Sequence, residues 1–411
     1  MSDKKRNVPV LRFNGFSDAW EQRKFGELGK VTTGKAFSSI DFDEQGEYLV
    51  ITNKDISTSS RSQNVVTDRI NVSDKNIIEK YNLNGENILV TMDGVNLGKT
   101  AMYSNENALL AQRVGRIQST QLEFVYQITS SNNFFMTMRT LSVGNAIKHI
   151  SLSQISNYST LVPNNEAEQQ KIGELFKHLD NTIALHQRKL DTLQQMKKGF
   201  LQQMFLENGE KSPQVRFADF QEEWKQRKLE VLAVFSKGRG YTKSDLVEKG
   251  TPIILYGHLY TKYEIIINKV NTFVAMKDKS VISKGNEVIV PSSGETAKDI
   301  SRASVIGTEG FILGGDLNII KPKREINSIF LALTISNGIQ QKEMIKLAQG
   351  KSIVHLHNSD LKQIKLFYPS LGEQQQIGDF FIQLDSIITL YQNKLDKLNT
   401  LKRTYLKNMF I

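Results

Sequence analysis

Two glycines, a lysine and a preceding β-like run form the string in this sequence that most suggests chemistry. Gly94, Gly98 and Lys99 follow the apolar residues 88–91, the order in which a strand leads into a loop that holds phosphates. That loop needs four residues between its glycines, and only three separate Gly94 from Gly98. The string 294–298 is similar but has no second glycine. We therefore expect these loops to approach a nucleic-acid backbone and not to hydrolyse a nucleotide.

The residues that other enzymes need are absent or incomplete. Methyl transfer to a base would need an Asn-Pro-Pro-aromatic loop and a glycine-rich cofactor turn, and the sequence has neither. A nuclease would need carboxylates near a lysine; Asp360 and Lys362 have part of that spacing, but we interpret them as the start of a helix. His149 and His355 occupy matched positions, which favours a role in the frame or in backbone contact. The six histidines have no metal-ligand spacing, and cysteine is absent.

The composition is that of a soluble protein with excess positive charge. The 411 residues are 39% hydrophobic and 23% charged, and Lys plus Arg (53) exceed Asp plus Glu (43) by ten. This length allows two or three domains, and the charge favours a polyanionic partner such as nucleic acid. No stretch reaches the roughly 18 apolar residues of a membrane span. Together with the missing cysteines, this predicts a cytoplasmic protein that is neither exported nor membrane-embedded.

Loops that mix basic, aromatic and small polar residues are the candidate DNA contacts. The strings 256–263 and 237–241 combine hydrogen-bond donors, flat rings and glycine, which suit base edges and phosphates. The corresponding strings of the first half are 53–55 and 30–35. The predicted DNA-binding residues are Lys35, Asn53, Lys54, Met92, Lys99, Arg113, Lys148, Lys237, Arg239, Tyr241, Tyr256, His258, Ser292, Ser293, Lys298, Arg302 and Lys351.

The elements that must position these loops are organised around two segments, 166–206 and 371–411, which repeat each other 205 residues apart. Glu168 matches Glu373 without any gap in the alignment, so one ancestral element is used twice. Neither segment contains proline, and the apolar residues recur four and three apart. Each segment is therefore predicted as one long helix, roughly 60 Å long at about 1.5 Å per residue.

Each long helix has one apolar stripe, and the other copy can cover it, so we predict that the two helices pair as a coiled coil. The pattern leaves the direction of pairing open, and the alternative is that each helix packs on its own domain. His186 and Tyr391, and Lys197 and Lys402, interrupt the two stripes at matched positions. The predicted pairing residues are Ile172, Phe176, Leu179, Ile183, Leu190, Leu193, Ile377, Phe381, Leu384, Ile388, Leu395 and Leu398.

The repeat also includes the starts of both helices and the segments that precede them. Asn165 with Glu168, and Ser370 with Glu373, have the spacing of a capping box. Farther upstream, Arg12-Phe13 matches Arg216-Phe217, and Trp20 matches Trp224; we interpret the tryptophans as core anchors.

The repeat predicts a first domain at 10–163, a helix at 164–208, a second domain at 209–369 and a second helix at 370–411. Short β-like runs and one helical pattern in each domain, at 123–141 and 328–348, indicate an α+β fold. The frames of the domains match closely, while their interiors differ. This favours two readers of the same kind with different targets; the alternative is neutral drift after duplication.

The constellation resembles the specificity subunit of Type I restriction–modification systems over nearly the whole chain. The resemblance lies in the paired segments 163–172 and 369–377, each of which closes a divergent domain and opens a long helix. The strings 144–151 and 350–357, and the glycine loops at 85–99 and 285–298, add to it.

The resemblance implies an α+β protein with two tandem target-recognition domains of related fold, separated by two long helices that pair as an antiparallel coiled coil. It also implies a non-catalytic subunit that reads a bipartite DNA site, one half per domain, and docks two methyltransferase subunits for adenine methylation. Restriction subunits would join where they are present. The subunit itself would bind no cofactor, since S-adenosylmethionine, ATP and Mg²⁺ belong to its partners. The length of the helices would set the spacer between the half-sites.

Two other functions remain open. One is a coiled-coil scaffold that joins two protein-binding modules without reading DNA. The other is an enzyme whose active site lies in an unusual fold.

Overall fold

The structure is a computed structural model, and it describes residues 7–56, 67–145, 148–207, 210–350 and 353–411. The chain divides into two compact units. Unit 1 consists of Met1–Arg188 and Gln392–Ile411, and unit 2 of Lys189–Tyr391. Each unit therefore holds one of the two predicted domains with part of both long helices, whereas the sequence-based division places the helices in segments of their own.

Unit 1 combines a sheet with short helices and the first long helix. Its strands are β1 (Glu21–Lys24), β2 (Lys30–Thr33), β3 (Tyr48–Ile51), β4 (Arg69–Ile70), β5 (Asn82–Thr91), β6 (Thr100–Leu110), β7 (Val114–Gln118) and β8 (Ser159–Val162). Its helices are α1 (Phe25–Leu28), α2 (Lys75–Tyr81), α3 (Leu122–Thr129), α4 (Asn132–Leu141), α5 (Leu152–Ser156) and the start of α6 (Glu166–Gln203).

The main sheet of unit 1 has six strands in the order β2-β7-β5-β6-β3-β4. The pairing is antiparallel except between β3 and β6, which are parallel. Strands β1 and β8 form a separate antiparallel pair directly before α6. Trp20 is buried in the main core with Phe25, Phe124 and Phe176, which confirms it as a core anchor.

Unit 2 repeats this plan with more and shorter strands. They are β9 (Lys225–Lys228), β10 (Ala233–Lys237), β11 (Leu246–Val247), β12 (Thr251–Ile254), β13 (Ile266–Ile267), β14 (Phe273–Val274), β15 (Ile282–Lys284), β16 (Val288–Pro291), β17 (Ser293–Gly294), β18 (Ser304–Ile306), β19 (Glu309–Leu313), β20 (Leu317–Pro322), β21 (Val354–His355) and β22 (Lys365–Tyr368). The helices are α7 (Leu229–Leu232), α8 (His258–Thr261), α9 (Ala297–Ile300), α10 (Ser328–Ser336), α11 (Gly338–Leu347), α12 (Asn358–Gln363) and the start of α13 (Leu371–Met409), whose end lies in unit 1.

Ten strands of unit 2 form two five-stranded sheets, β10-β20-β16-β18-β13 and β11-β14-β12-β19-β15. Strands β9 and β22 pair in an antiparallel manner, as β1 and β8 do in unit 1. Trp224 lies in the core with Phe330 and Phe381, which confirms the second tryptophan anchor. Both units are mixed α and β, as predicted.

The shorter helical pattern of each domain is two helices and not one. In unit 1, α3 ends before Ser130, and the Ser131 side chain accepts a hydrogen bond from the backbone N–H of Phe134 to begin α4. In unit 2, α10 and α11 meet at Gly338, which has a φ of 62°. The apolar periodicity continues across both breaks, and therefore conceals them. Asp360 lies in α12 and accepts a hydrogen bond from the backbone N–H of His357, which confirms the helix start predicted there.

The two long helices are each continuous, and they meet within unit 1 near opposite ends of their lengths. Asp180 in the first half of α6 forms an ion pair of 2.6 Å with Lys402 near the end of α13. The rings of Phe176 and Phe410 are 5.9 Å apart. Met409 is buried in the same core as Ile172. In unit 1 the beginning of α6 therefore packs against the end of α13.

Unit 2 contains the complementary arrangement. Lys197 in the last part of α6 forms an ion pair of 2.5 Å with Asp385 in the first part of α13, and the rings of Phe200 and Phe380 are 5.1 Å apart. Early α6 thus meets late α13, and late α6 meets early α13, so the helices are antiparallel. Lys197 and Lys402, which interrupt the apolar stripes, are therefore the basic residues of these two ion pairs.

The start of each long helix differs from the predicted capping box. Asn165 does cap α6, since its side chain accepts from the backbone N–H of Ala167 at 2.9 Å. Glu168, however, does not return to the cap. Its buried carboxylate takes two hydrogen bonds from Arg12, of 2.6 and 2.7 Å, because a buried charge needs a charged partner. Glu373 and Arg216 make the same two bonds in unit 2.

All twelve predicted pairing residues of α6 and α13 are at least half-buried. Eight are buried: Ile172, Phe176, Leu190, Leu193, Ile377, Phe381, Leu384 and Leu395. Leu179, Ile183, Ile388 and Leu398 are half-buried. In the part of the chain that the structure describes, no helix is long and apolar enough to cross a bilayer.

Candidate nucleic-acid interface

A buried carboxylate joins two of the predicted DNA-binding residues in unit 1. One Asp93 oxygen accepts a short hydrogen bond from Nδ2 of Asn53, and the other accepts one of 2.9 Å from Nη1 of Arg113. The Asp93 side chain is 7% exposed, whereas that of Arg113 is 63% exposed. We call Asn53, Asp93 and Arg113 the unit 1 triad. In this triad the buried Asp93 carboxylate holds the guanidinium of Arg113 and the amide of Asn53 in place.

Backbone hydrogen bonds fix the three positions of the triad. Arg113 lies in the turn between β6 and β7 with a φ of 66°, and its carbonyl accepts from the N–H of Met92 at 3.0 Å. Asn53 follows β3, whose last residue, Ile51, accepts from the N–H of Ala111 at 2.9 Å. Asp93 itself forms a backbone bridge with His149. Loops that are distant in sequence are thereby held side by side.

Three further predicted basic residues lie beside the triad. Lys35 pairs with the same turn as Arg113, since its N–H donates to Leu110 and its carbonyl accepts from Gln112. Lys148 is exposed and directly precedes His149, the bridge partner of Asp93. Lys54 is exposed and follows Asn53. The triad is therefore surrounded by lysines that are suited to phosphates.

Unit 2 uses the same backbone frame with different side chains. The N–H of Gly314 donates to Ile254, as that of Ala111 does to Ile51. The N–H of Ser292 donates to Asp316, as that of Met92 does to Arg113. Ser293 pairs with His355, as Asp93 does with His149. By these bonds Tyr256, Ser293 and Asp316 occupy the positions of Asn53, Asp93 and Arg113, and we call them the unit 2 triad.

The two triads differ in charge and in hydrogen-bonding character. Unit 1 offers a guanidinium and an amide with a carboxylate behind them. Unit 2 offers a phenol, a hydroxyl and a carboxylate, with Asp316 at the position of Arg113. A guanidinium only donates hydrogen bonds, and a carboxylate only accepts them. The same position in the two frames would therefore select opposite features of a base edge.

The predicted DNA-binding residues fall into four groups by exposure. Six are exposed: Lys54, Arg113, Lys148, Lys237, Arg239 and Lys298. Seven are half-buried: Lys35, Asn53, Lys99, Tyr256, His258, Ser293 and Arg302. Met92, Tyr241 and Ser292 are buried, and Lys351 lies outside the described residues.

The buried members of this set are occupied by the fold. Tyr241 is 5% exposed, its hydroxyl lies 2.6 Å from Ser280 Oγ, and it accepts from the N–H of Lys277. Met92 packs in the main core of unit 1. Ser292 makes two backbone hydrogen bonds, with Asp316 and Leu356. These three therefore offer little surface to a ligand.

Aromatic and basic side chains also gather in unit 2. The rings of Tyr256 and Tyr260 are 5.7 Å apart, and burial, followed by the hydrogen bond with Tyr256, raises the pKa of Tyr260 to about 12. Lys298 and Arg302 line a cavity of about 340 Å³, and the guanidinium of Arg302 lies 6.0 Å from the Tyr263 ring. Tyr260 is therefore neutral near neutral pH.

Sequence reasoning missed Asp93 and Asp316. Asp93 precedes Gly94 in the string that suggested a phosphate loop, where a carboxylate would be unfavourable. Asp316 follows two glycines in a turn between strands. Its importance depends on its match to Arg113, and the interior alignment drifts too far to reveal that match. Among the described residues, no three His, Asp or Glu side chains cluster in a way that could hold a metal ion.

The fold and the interface define a duplicated protein in which one frame presents two different surface triads and two antiparallel helices belong to both units. The family model described as "Type I restriction modification DNA specificity domain" matches the chain twice, at residues 17–195 and 221–400. The chain belongs to this family of DNA specificity subunits.

Individual relatives match nearly the whole chain. The chain is 21% identical over 421 residues to the Type I restriction enzyme MjaVIII specificity subunit of Methanocaldococcus jannaschii, covering 97% of this chain and 94% of the relative. The crystal structure of the Type I restriction–modification S subunit from M. genitalium has the same fold. Its TM-score is 0.66 at 17% identity, with 98% of this chain and 99% of that chain covered.

Proposed function

We propose that this chain is the non-catalytic specificity subunit of a Type I restriction–modification complex, and that each unit reads one half of a bipartite, asymmetric DNA site. The observation that carries the proposal is the pair of triads. Asn53, Asp93 and Arg113 in one frame correspond to Tyr256, Ser293 and Asp316 in the other. Two units with the same backbone frame could dock on duplex DNA in the same way, and their different triad side chains are suited to two different half-sites.

Charge supports a DNA ligand. The chain has a net charge of +10, and the exposed Lys54 and Lys148 lie beside the unit 1 triad. Contacts to phosphates would supply much of the affinity, while the triads would supply the selectivity. The chain would bind no cofactor itself. S-adenosylmethionine would be used by the methyltransferase, and ATP with Mg²⁺ by a restriction subunit where one is present.

Matched apolar residues on the long helices support docking of two methyltransferase copies. Leu185 and Leu390 are 58% and 51% exposed, and Met196 and Leu401 are 45% and 38% exposed. The members of each pair lie 205 residues apart. Unit 1 carries Leu185 and Leu401 on its helical segments, and unit 2 carries Leu390 and Met196. Because each unit has equivalent exposed apolar side chains, each unit could bind one copy of the methyltransferase.

The alternative is a coiled-coil scaffold that joins two protein-binding modules. In that case the triads would have no role in DNA binding. The chain would bind no duplex DNA, either alone or in complex with the methyltransferase. The exposed guanidinium of Arg113 and the lysines around it favour the DNA-reading function.

A methylation map of DNA from cells that express this chain with its methyltransferase tests the proposal. The expected result is a two-part motif with a fixed gap and one modified adenine on each strand. A single ungapped motif would mean that only one unit reads DNA. The absence of any motif, with the complex assembled, would refute the proposal and favour the scaffold.

A further inference from the structure

We propose that Arg113 reads a guanine in the half-site of unit 1, that Asn53 reads a neighbouring base, and that Asp93 positions both side chains without touching DNA. This inference rests on the proposed function, in which unit 1 reads one half-site. It goes further because it assigns base-reading residues and the chemistry of one target base.

The geometry of Arg113 leaves a two-donor edge directed away from its anchor. Nη1 is engaged by Asp93 at 2.9 Å, and within the described residues Nε and Nη2 have no hydrogen-bond partner. The O6 and N7 atoms of guanine accept two parallel hydrogen bonds from such a fork in the major groove. A carboxylate that holds one end of the guanidinium reduces the rotamer freedom that binding would otherwise remove.

The amide of Asn53 is oriented by the same carboxylate. Since Asp93 accepts from Nδ2, Oδ1 of Asn53 must face away from it. The amide retains an acceptor and a second N–H for a ligand. An amide that offers both is suited to adenine, whose N6 donates and whose N7 accepts.

Asp93 is a positioning residue. Its side chain is 7% exposed, and its two oxygens are occupied by Asn53 and Arg113. A carboxylate directly against DNA would be repelled by phosphates, but one that is buried behind a cation acts through that cation.

The fold does not need the triad, which separates a reading role from a structural one. Unit 2 builds the same frame with Tyr256, Ser293 and Asp316, a set that contains no basic residue. At the position of Arg113 the Asp316 carboxylate would accept from the N4 amino group of cytosine. Substitutions at these positions should therefore change selectivity and leave folding intact.

The test uses the complex of the full chain with its methyltransferase. The wild-type motif is mapped first, and competition binding is then measured on duplexes that carry each of the four base pairs at each position of both half-sites. The variants are Arg113→Lys, Arg113→Ala, Asp93→Asn and Asp316→Asn. The matched control is Arg23→Ala, which removes the same charge from a 42% exposed side chain on β1, outside the triad.

Arg113→Lys and Arg113→Ala should lower the preference for guanine at one position of one half-site by about tenfold or more, since a bidentate contact gives about 1–3 kcal/mol of discrimination. Asp93→Asn should relax the same position, while binding to non-specific duplex stays equal or rises because a negative charge is lost. A merely structural role would weaken both together. Asp316→Asn should relax a position in the other half, and Arg23→Ala should relax none.

Wild-type discrimination in Arg113→Lys would overturn the inference, because lysine keeps the charge but not the fork. Uniform weakening on all duplexes by Arg113→Ala would also overturn it, since that is the behaviour of a phosphate contact. These results, obtained with a gapped wild-type motif, leave the proposed function standing. A wild-type complex without a gapped motif refutes both.

Discussion

The ion pair between Asp180 and Lys402 predicts a large effect for a small change. Replacing Lys402 with methionine keeps a long, unbranched side chain and removes the ammonium group. The Asp180 side chain is 3% exposed, and its remaining described contact is a long one of 3.5 Å from Gln127. The variant therefore leaves a buried carboxylate without its charged partner.

Removing one partner of a buried ion pair costs about 3–5 kcal/mol. The matched pair of unit 2 provides the control, because the Asp385 side chain is 33% exposed and water can solvate it. Exposed pairs contribute about 0–1 kcal/mol, so Lys197→Met should cost only slightly more than that. The two variants have the same chemistry and the same position in the repeat, and we expect them to differ by about 2–4 kcal/mol.

Hydrogen exchange of peptides from α6 and α13 is the appropriate assay, since a chain with two units need not unfold in one step. Lys402→Met should lower the opening free energy of 166–188 and 392–409 more than Lys197→Met lowers that of 189–203 and 371–391. The double variant Asp180→Leu with Lys402→Met should recover most of the loss. Equal effects of the two single variants would refute the assignment of Asp180 as a buried charge.

Other consequences can be measured separately. Arg12→Lys should destabilise unit 1 by about 1–3 kcal/mol, seen as a lower Tm, because lysine cannot form the two-bond fork with buried Glu168; an unchanged Tm would contradict this. Binding of DNA to the complex should weaken steeply with salt, with a log–log slope near −0.9 per phosphate contact, and a flat slope would count against phosphate contacts. Four residues inserted next to Asp191 should lengthen the spacer by about two base pairs, from about 1.5 Å per residue against about 3.4 Å per base pair; an unchanged spacer in the methylation map would reject the helix as a ruler. Leu185→Glu with Leu401→Glu should reduce the methyltransferase from two copies to one in the mass of the complex, and two retained copies would rule out this docking surface.

The long helices could be predicted because their information is local and repeated. A stripe without proline over 38 residues of α6 leaves few alternatives to a helix, and the same stripe recurs in α13. The acidic partners of Lys402 and Lys197, Asp180 and Asp385, also lie 205 residues apart. Predicting which aspartate pairs with which lysine requires the relative direction of the two helices, and apolar periodicity does not give that direction.

The interface was harder to predict because its residues meet through tertiary contacts. Asn53, Asp93 and Arg113 are separated by 40 and 20 residues, and only the folded sheet brings them together. Tyr241 lies in a loop whose composition suits a DNA contact, but its hydroxyl is engaged by Ser280, 39 residues away. Propensity and composition identify a class of loop, while burial decides which side chains remain available.

We expect each unit to read its own half-site through a shared frame, and replacing the domain of unit 2 with a copy of the domain of unit 1 tests this most directly. Residues 8–163 would replace residues 212–369, with both long helices retained. The long-helix residues that complete one core are matched by those that complete the other: Phe176 corresponds to Phe381, and Met409 corresponds to Met204. The assembled complex should methylate a motif that contains the first half-site twice. A motif that keeps the second wild-type half would contradict the account.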